Sequence, residues 1–452
     1  MKKSLLVLGA AALLAAPQIV NAEGFAVNEW SAEGVAMGGA RMFAEGDAAN
    51  LAYNPASITK IEKKANKIVA TYISPHGEYT AFPKDTTTNG GLPAGVEEGK
   101  NRVHPAWIPG HYYVKRISDN EWFGVGTVTR FGLVSQFPNS SMVSTNSSSA
   151  KMAGMSMIPT YAKKLDDKWS VAVGAEINYI GLQLDKNLLL PKNMKNVLGG
   201  MATGKPVAPE FDLQGPRVNM QIEGDSYALG WNAAVNYKFD DKNEMGVVYR
   251  SKIEHSMNAN TRLKTMGMKG TADGYGCVTL PDNWAIGYNH KFDDRTRIEL
   301  NGTYTRWSSY DRLDMSFSNI ALPGTLVGML PSGAKLPENI TIPSYKGWDN
   351  GWRCAIGIEH KLSDKYSLMA GYAYDEASIP TEGADFMVPS GDRITYSLGG
   401  QYHDDKVTVA LAAAYMKVGD LNIPGTSLDP FDHAHSHDSY SKIYSISYQY
   451  NF

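Results

Sequence analysis

The sequence predicts an all-β fold, a 14-stranded antiparallel transmembrane β-barrel with an N-terminal hatch (plug) in the lumen. Three observations carry this. Past the N-terminus no stretch of about 18 apolar residues exists, so no mature segment can span a bilayer as a helix. Long segments alternate apolar with polar residues and are rich in aromatics, as strands are when one face meets lipid and the other a polar lumen. Short turns punctuate them at Ser118-Asp119-Asn120, Asp166-Asp167, Asp240-Asp241, Asp293-Asp294, Ser363-Asp364 and Asp404-Asp405. Acidic and small polar residues suit tight hairpins, and outer-membrane barrels keep their short turns on the periplasmic side. Six such turns, with both termini periplasmic, imply fourteen strands.

The chain has 452 residues and a formal charge of −3, with 20% charged and 43% hydrophobic residues. That composition excludes a disordered chain, and the lack of a basic excess argues against a nucleic-acid partner. Residues 1–22 read as a secretory signal: Lys2 and Lys3, an apolar core from Leu5 to Ala16, and Val20-Asn21-Ala22 as a cleavage site. Export makes Cys277 and Cys354 oxidisable, but they fall on strands that are not neighbours. A disulfide needs Cα atoms within about 7 Å, so two unpaired cysteines are expected.

Residues 23–64 are rich in Ala and Gly and do not alternate; they form the hatch, and residues 65–452 form the barrel. Gly34, Gly38, Gly39 and Gly46 let the hatch backbone approach the wall. Asn54 before Pro55 suits a turn, because a residue preceding Pro avoids the helical region. In the strand from Trp169 to Tyr179, one face reads Trp169, Val171, Val173, Ala175, Ile177, Tyr179 and the other Ser170, Ala172, Gly174, Glu176, Asn178. The segment from Tyr227 to Phe239 repeats this, and aromatic residues near strand ends form interfacial girdles. The third strand, Glu121 to Gln136, is the least regular. Gly124, Gly126 and Gly132 lie in it, with Arg130 and Phe131 between the last two, and a strand glycine often marks a bulge.

Long outer loops are expected at about residues 80–103, 132–153, 187–218, 263–279, 313–346, 378–391 and 419–439. The third and fifth carry Leu188, Leu189, Leu190, Met194, Val197, Leu198, Met201 and Ile320, Leu322, Leu326, Val327, Met329, Leu330. Exposed apolar patches of this kind mark binding surfaces or pack into a cap.

Gly24-Phe25, Asn28-Glu29-Trp30 and Asn54-Pro55-Ala56-Ser57, with the Ala/Gly run between them, resemble the hatch of the FadL/OmpP1/TodX family. These are outer-membrane transporters of long-chain fatty acids and hydrocarbons. The C-terminal Tyr444, Ile446, Tyr448, Tyr450, Phe452 pattern likewise resembles the assembly signal of outer-membrane barrels. The resemblance implies that Gly24 and Phe25 reach a substrate pocket and move when it fills. It makes Asn54, Pro55 and Ala56 a structural element of the hatch, and it implies an inward kink of the third strand, placed at Arg130, Phe131 and Gly132, as a sideways exit into the outer leaflet. The implied substrate is a hydrophobic small molecule, a fatty acid or a hydrocarbon, taken up by diffusion. The remaining surroundings are outer-membrane lipid and lipopolysaccharide, and the expected state is a monomer in the Gram-negative outer membrane.

A carboxylate would need a basic partner in the lumen. By alternation Arg250, Lys252 and Arg353 face inward, although Glu254 and Glu359 share their strands and could pair with them. As aligned, family members that carry fatty acids have Lys near Asp349 and Arg near Gly181, which keeps neutral hydrocarbons open. His433, His435 and His437 alternate in the seventh loop between Asp432 and Asp438. Such a tract can bind metal, but a solvated loop is expected and no metal or other cofactor is assigned. No Ser/His/Asp set is indicated, so the chain reads as a transporter rather than an enzyme.

Overall fold

Alternation along the chain becomes barrel wall in the computed structural model, which describes residues 24–84, 95–190, 196, 217–328, 338–426 and 428–452. The fourteen strands are β1 Lys64–Pro83, β2 Ala106–Arg116, β3 Glu121–Val128 with Gly132–Gln136, β4 Ser149–Lys164, β5 Trp169–Leu189, β6 Arg217–Lys238 and β7 Asn243–Arg250 with Ile253–Thr265. They continue as β8 Met268–Leu280 with Asn283–Lys291, β9 Thr296–Thr305 with Met315–Ala321, β10 Asn339–Ile342 with Gly351–Lys361, β11 Tyr366–Asp375, β12 Arg393–His403, β13 Val407–Val418 with Leu421–Pro424 and β14 Phe431–Asn451. Each pairs antiparallel with the next, and β14 closes on β1 from Ala65↔Asn451 to Pro83↔Phe431. The outward face is apolar where lipid lies: Leu229 is 75% and Trp231 49% exposed, while Asn232 and Asn236 on the other face are buried. The signal segment lies outside the described residues. Cys277 and Cys354 are free and exposed.

The four Asp-Asp periplasmic turns share one device. The first Asp of each Asp-Asp pair accepts through Oδ1 from the backbone N–H groups two and three residues on. For Asp240 these are Lys242 and Asn243, both at 2.8 Å. Asp166, Asp293 and Asp404 repeat this at 2.7 to 2.9 Å, and Ser363 Oγ takes the first of these roles from Lys365 N–H. These N–H donors, led at Asp240 by the Asn243 side-chain amide, hold all four carboxyls below the ordinary aspartate range. A depressed folded pKa stabilises fully above the unfolded value, about 3.9 for Asp. That contribution is lost as pH falls through the folded values. Replacing all four by Asn keeps an acceptor oxygen without the titration. The denaturant midpoint of this variant is therefore expected to change less between about pH 5 and about pH 3 than that of the parent, read by heat-dependent gel migration.

Several expected loops are strand instead. Residues 263–279 continue β7 and β8 and turn at Met266-Gly267, whose φ values are 46° and 81°. The His433–His437 tract lies in β14, paired with Phe82 to Glu78 of β1, and a short strand Glu97–Lys100 extends the same sheet. Above the membrane both sheet faces are polar or mixed, so alternation no longer signals where a strand ends. Of the apolar loop residues, Met194, Val197, Leu198, Met201, Met329 and Leu330 lie outside the described residues. Leu189 is buried, Leu188 and Ile320 pack on a buried cluster with Met315 and Phe317, and Val327 is exposed.

Inside the wall the hatch folds as α1 Ala32–Ala36, α2 Asn50–Tyr53 and a 3₁₀ turn Pro55–Lys60. Ser31 caps α1 by accepting from Gly34 N–H at 3.0 Å. Asn54 caps the 3₁₀ turn from an extended conformation and accepts from Ala56 N–H at 3.1 Å. Pro55 follows at the first turn position, where its missing N–H costs nothing. The Asn54 amide also donates to Asn236 Oδ1 of β6 at 2.6 Å, which ties the motif to the wall. Gly38 and Gly39 take φ of 61° and 87°, and their carbonyl turn meets Arg353 and β11 at close range.

Candidate functional site: the hatch, the aromatic chamber and the broken wall

The hatch is locked to the wall by buried charge. Lys67 of β1 reaches Glu33 at 2.9 Å and Asp47 at 2.7 Å, all with side chains at most 5% exposed. Arg41 pairs with Glu359 of β10 at 2.8 Å, and Arg297 of β9 pairs with the same carboxylate at 2.8 Å and with Glu299 at 2.9 Å. Lys60 reaches Glu244 of β7 at 2.7 Å. In a lumen shielded from water, each charge is costly unless paired, so these pairs define a hatch position.

The two lumenal arginines singled out above belong to this lock. Arg250 donates to the carbonyls of Ala52 and Tyr53, the latter at 3.3 Å, and lies 5.4 Å from the Trp30 ring centroid. Arg353 pairs with Asp375 at 2.8 Å and donates to the Gly38 carbonyl at 2.6 Å. Lys252 does not face inward. The backbone is interrupted at Ser251 and Lys252, where Ser251 N–H donates to the Trp231 carbonyl, and Lys252 emerges exposed beside Glu254 at 2.5 Å.

Above the lock the first hatch residues leave polar ground. Phe25 is 2% exposed, and its ring centroid lies 4.8 Å from Trp307, 5.2 Å from Tyr310, 5.6 Å from Trp348 and 5.9 Å from Phe131. Gly24 has φ of 57°, and a Cβ there would stand 2.5 Å from the Trp348 ring. Only glycine meets both demands. Trp307 and Trp348 are buried, yet among the described residues neither indole N–H has a hydrogen-bond partner. Two residues before Trp348, the buried Lys346 ammonium binds Asp385. Asp349, the position at which a cation was found wanting, is exposed. Trp307, Tyr310, Trp348 and Lys346 were not singled out from the sequence. They lie where β9 and β10 leave regular pairing, and only the run Gly347-Trp348-Asp349-Asn350-Gly351-Trp352-Arg353 hinted at them.

The wall is broken beside Phe25. β3 stops at Val128 and resumes at Gly132. Its pairing with β4 runs through Val128↔Ser156 and restarts at Gly132↔Ala153, so Thr129, Arg130 and Phe131 face only Gly154 and Met155. The freed backbone groups bond to the hatch. Val27 N–H donates to the Arg130 carbonyl at 2.8 Å, Gly132 N–H to the Phe25 carbonyl at 2.8 Å, and the Trp30 indole to the Thr129 carbonyl at 2.8 Å. Arg130 turns inward and pairs with Glu176 at 2.6 Å, both nearly fully buried. The β2–β3 ladder runs from Arg116↔Trp122 to His111↔Thr127. Beyond it, among the described residues, β2 from Ala106 to Gly110 pairs with β1, and β3 from Gly132 to Gln136 pairs with β4. Higher up, Arg102 N–H donates to the Gln136 carbonyl at 2.7 Å. Between the end of that ladder and this upper tie, β2 and β3 are thus not paired with each other among the described residues.

A plugged barrel whose hatch ends in a buried aromatic cluster, beside an interruption in the β2–β3 ladder, has the architecture of an outer-membrane channel for hydrophobic molecules. The family described as outer membrane protein transport protein (OMPP1/FadL/TodX) matches residues 13–452, and the chain belongs to it. It is 23% identical over 417 residues to the long-chain fatty acid transport protein of Escherichia coli K12, covering 87% of each chain. It is 26% identical over 435 residues to outer membrane protein P1 of Haemophilus influenzae, covering 92% of this chain and 91% of that one. Among solved structures, a Pseudomonas aeruginosa FadL homologue superposes with a TM-score of 0.77 at 19% identity, covering 95% of this chain and 100% of that one. The Pseudomonas putida toluene transporter TodX superposes with a TM-score of 0.67 at 16% identity, covering 96% and 100%. The chain is accordingly a transporter of hydrophobic molecules in the Gram-negative outer membrane, not an enzyme.

Proposed function

We propose that this chain takes up long-chain fatty acids by passive diffusion, through the Phe25 chamber and out between β2 and β3. The orphaned indole N–H groups of Trp307 and Trp348 carry the choice of substrate. A buried donor without a partner costs about 1–3 kcal/mol, and an acceptor oxygen on the substrate relieves it. A carboxylate offers such oxygens and toluene does not. Lys346, two residues before Trp348 in the chain, adds a buried positive charge that it shares with Asp385. The role of meeting the carboxylate therefore passes from Arg250 and Arg353, which hold hatch carbonyls, to the indoles and Lys346. The proposed sequence of events is short. The acyl chain displaces the Phe25 ring from its aromatic neighbours, residues 25–27 release the carbonyl of Arg130 and the N–H of Gly132, and the chain slides through a window between β2 and β3. Full-length relatives named for long-chain fatty acid transport agree with this reading.

A second reading, uptake of neutral aromatic hydrocarbons, is favoured by the rings that pack round Phe25. Replacing Trp307 and Trp348 by Phe keeps ring bulk and removes both donors. On the fatty-acid reading the double variant binds a long-chain fatty acid about tenfold more weakly, a loss of about 1.4 kcal/mol. Equal affinity in parent and variant, with a neutral hydrocarbon found by mass spectrometry in the organic extract of the purified barrel, would move the assignment to the second reading.

A further inference from the structure

The seam where the last strand closes on the first carries chemistry that transport does not use. On the outward face of β1 and β14, His76 and Glu78 stand beside His437 and Asp438. The pairing slips by one residue between His76↔Tyr440 and Glu78↔His437, which turns Asp438 into a left-handed conformation (φ 48°) next to its histidine. Asp438 Oδ2 lies 3.0 Å from His437 Nδ1, and His437 Nε2 lies 3.0 Å from Thr80 Oγ1. Glu78 Oε1 lies 3.2 Å from His76 Nε2. One ligand atom from each of Glu78, His437 and Asp438 lies within 4.8 Å of the other two.

We propose that His76, Glu78, His437 and Asp438 form a site for a borderline divalent metal ion of the zinc type, bridging the first and last strands outside the membrane. The donor set selects the class of ion. Imidazole nitrogen with carboxylate oxygen suits zinc and its neighbours, whereas magnesium and calcium want oxygen alone. Ligand atoms on a tetrahedral zinc are about 3.4 Å apart, given bonds of about 2.0–2.2 Å. The His76, Glu78 and His437 side chains are partly exposed and that of Asp438 mostly exposed, so solvent-facing rotamers are open to them. Donation of His437 Nε2–H to Thr80 Oγ1 sets the tautomer that leaves Nδ1, 3.0 Å from Asp438 Oδ2, as the metal-binding lone pair. Lys100, whose ammonium lies 2.7 Å from Glu78 Oε1, is the competing cation that the metal displaces.

The test is zinc titration of the detergent-purified full chain against a chromophoric chelator, with folding checked by heat-dependent gel migration. The expected result is saturable binding of one zinc per chain, weakened about tenfold or more by His437→Ala and by Glu78→Gln. Lys100→Met should tighten it. Magnesium should not compete, and the His433→Ala/His435→Ala double variant should bind as the parent does. Zinc should also raise the unfolding temperature of the parent barrel and not that of His437→Ala, because binding only the folded seam stabilises it. No saturable binding to the folded parent would overturn the site. So would binding that survives in His437→Ala, or binding lost in the His433→Ala/His435→Ala variant alone.

Discussion

Deletion of Thr129 is expected to stop fatty-acid uptake into proteoliposomes, lowering it to the rate of protein-free vesicles, while the barrel still folds. The reason is register. Three residues, Thr129 to Phe131, stand against Gly154 and Met155 of β4, and the ladders on either side are regular. Removing one residue leaves two against two, and the pairing becomes continuous from Glu121 to Gln136. The backbone groups that now bond to Phe25 and Val27 would then bond to β4, the outer half of β3 would straighten toward β2, and the window would close. Thr129 is the residue to remove because, among the described residues, its hydroxyl has no partner. Uptake that persists in a folded deletion variant would place the exit elsewhere.

Lys67→Met should release the hatch. The substitution leaves Glu33 and Asp47 without their shared ammonium, and among the described residues Arg41, 3.6 Å from Asp47, is the one cation left paired with either. Breaking a buried pair from one side costs about 3–5 kcal/mol. The strands are held by their own ladders, so this loss falls on docking of the hatch. In planar bilayers the parent should be closed to ions, and the variant should show discrete conductance steps. Neutralising both acids as well, in Lys67→Met/Glu33→Gln/Asp47→Asn, removes the uncompensated charge and should restore the closed state. A variant as quiet as the parent would show that the apolar packing round Phe43, Leu51 and Ile58 holds the hatch without the charges.

How far the sequence could be read follows from where side-chain pattern controls structure. Period-two alternation and the acidic turns made the wall legible, because one face is buried in lipid and the turn carboxylates bond to their own backbone. The hatch was legible by composition. The facing of Lys252 was not, because the irregularity at Ser251 has no glycine or proline to announce it. The partners of Arg250 and Arg353 were not either, since they are backbone carbonyls of the hatch and leave no mark on side-chain pattern. The aromatic chamber escaped for a third reason. Trp307, Tyr310 and Trp348 sit where β9 and β10 depart from pairing, so no period places them together with Phe25.

The route itself is most directly tested by photolabelling. A long-chain fatty acid bearing a diazirine near its methyl end is illuminated during uptake in whole cells, and the purified barrel is mapped by peptide mass spectrometry. Passage through the window predicts adducts at Phe25, Phe131 and Trp307, and at the window edges Ile108 and Leu133. Adducts confined to the periplasmic half of the lumen, around Asn236, Glu244 and Gln449, would show that the molecule travels down past the hatch and would contradict a sideways exit.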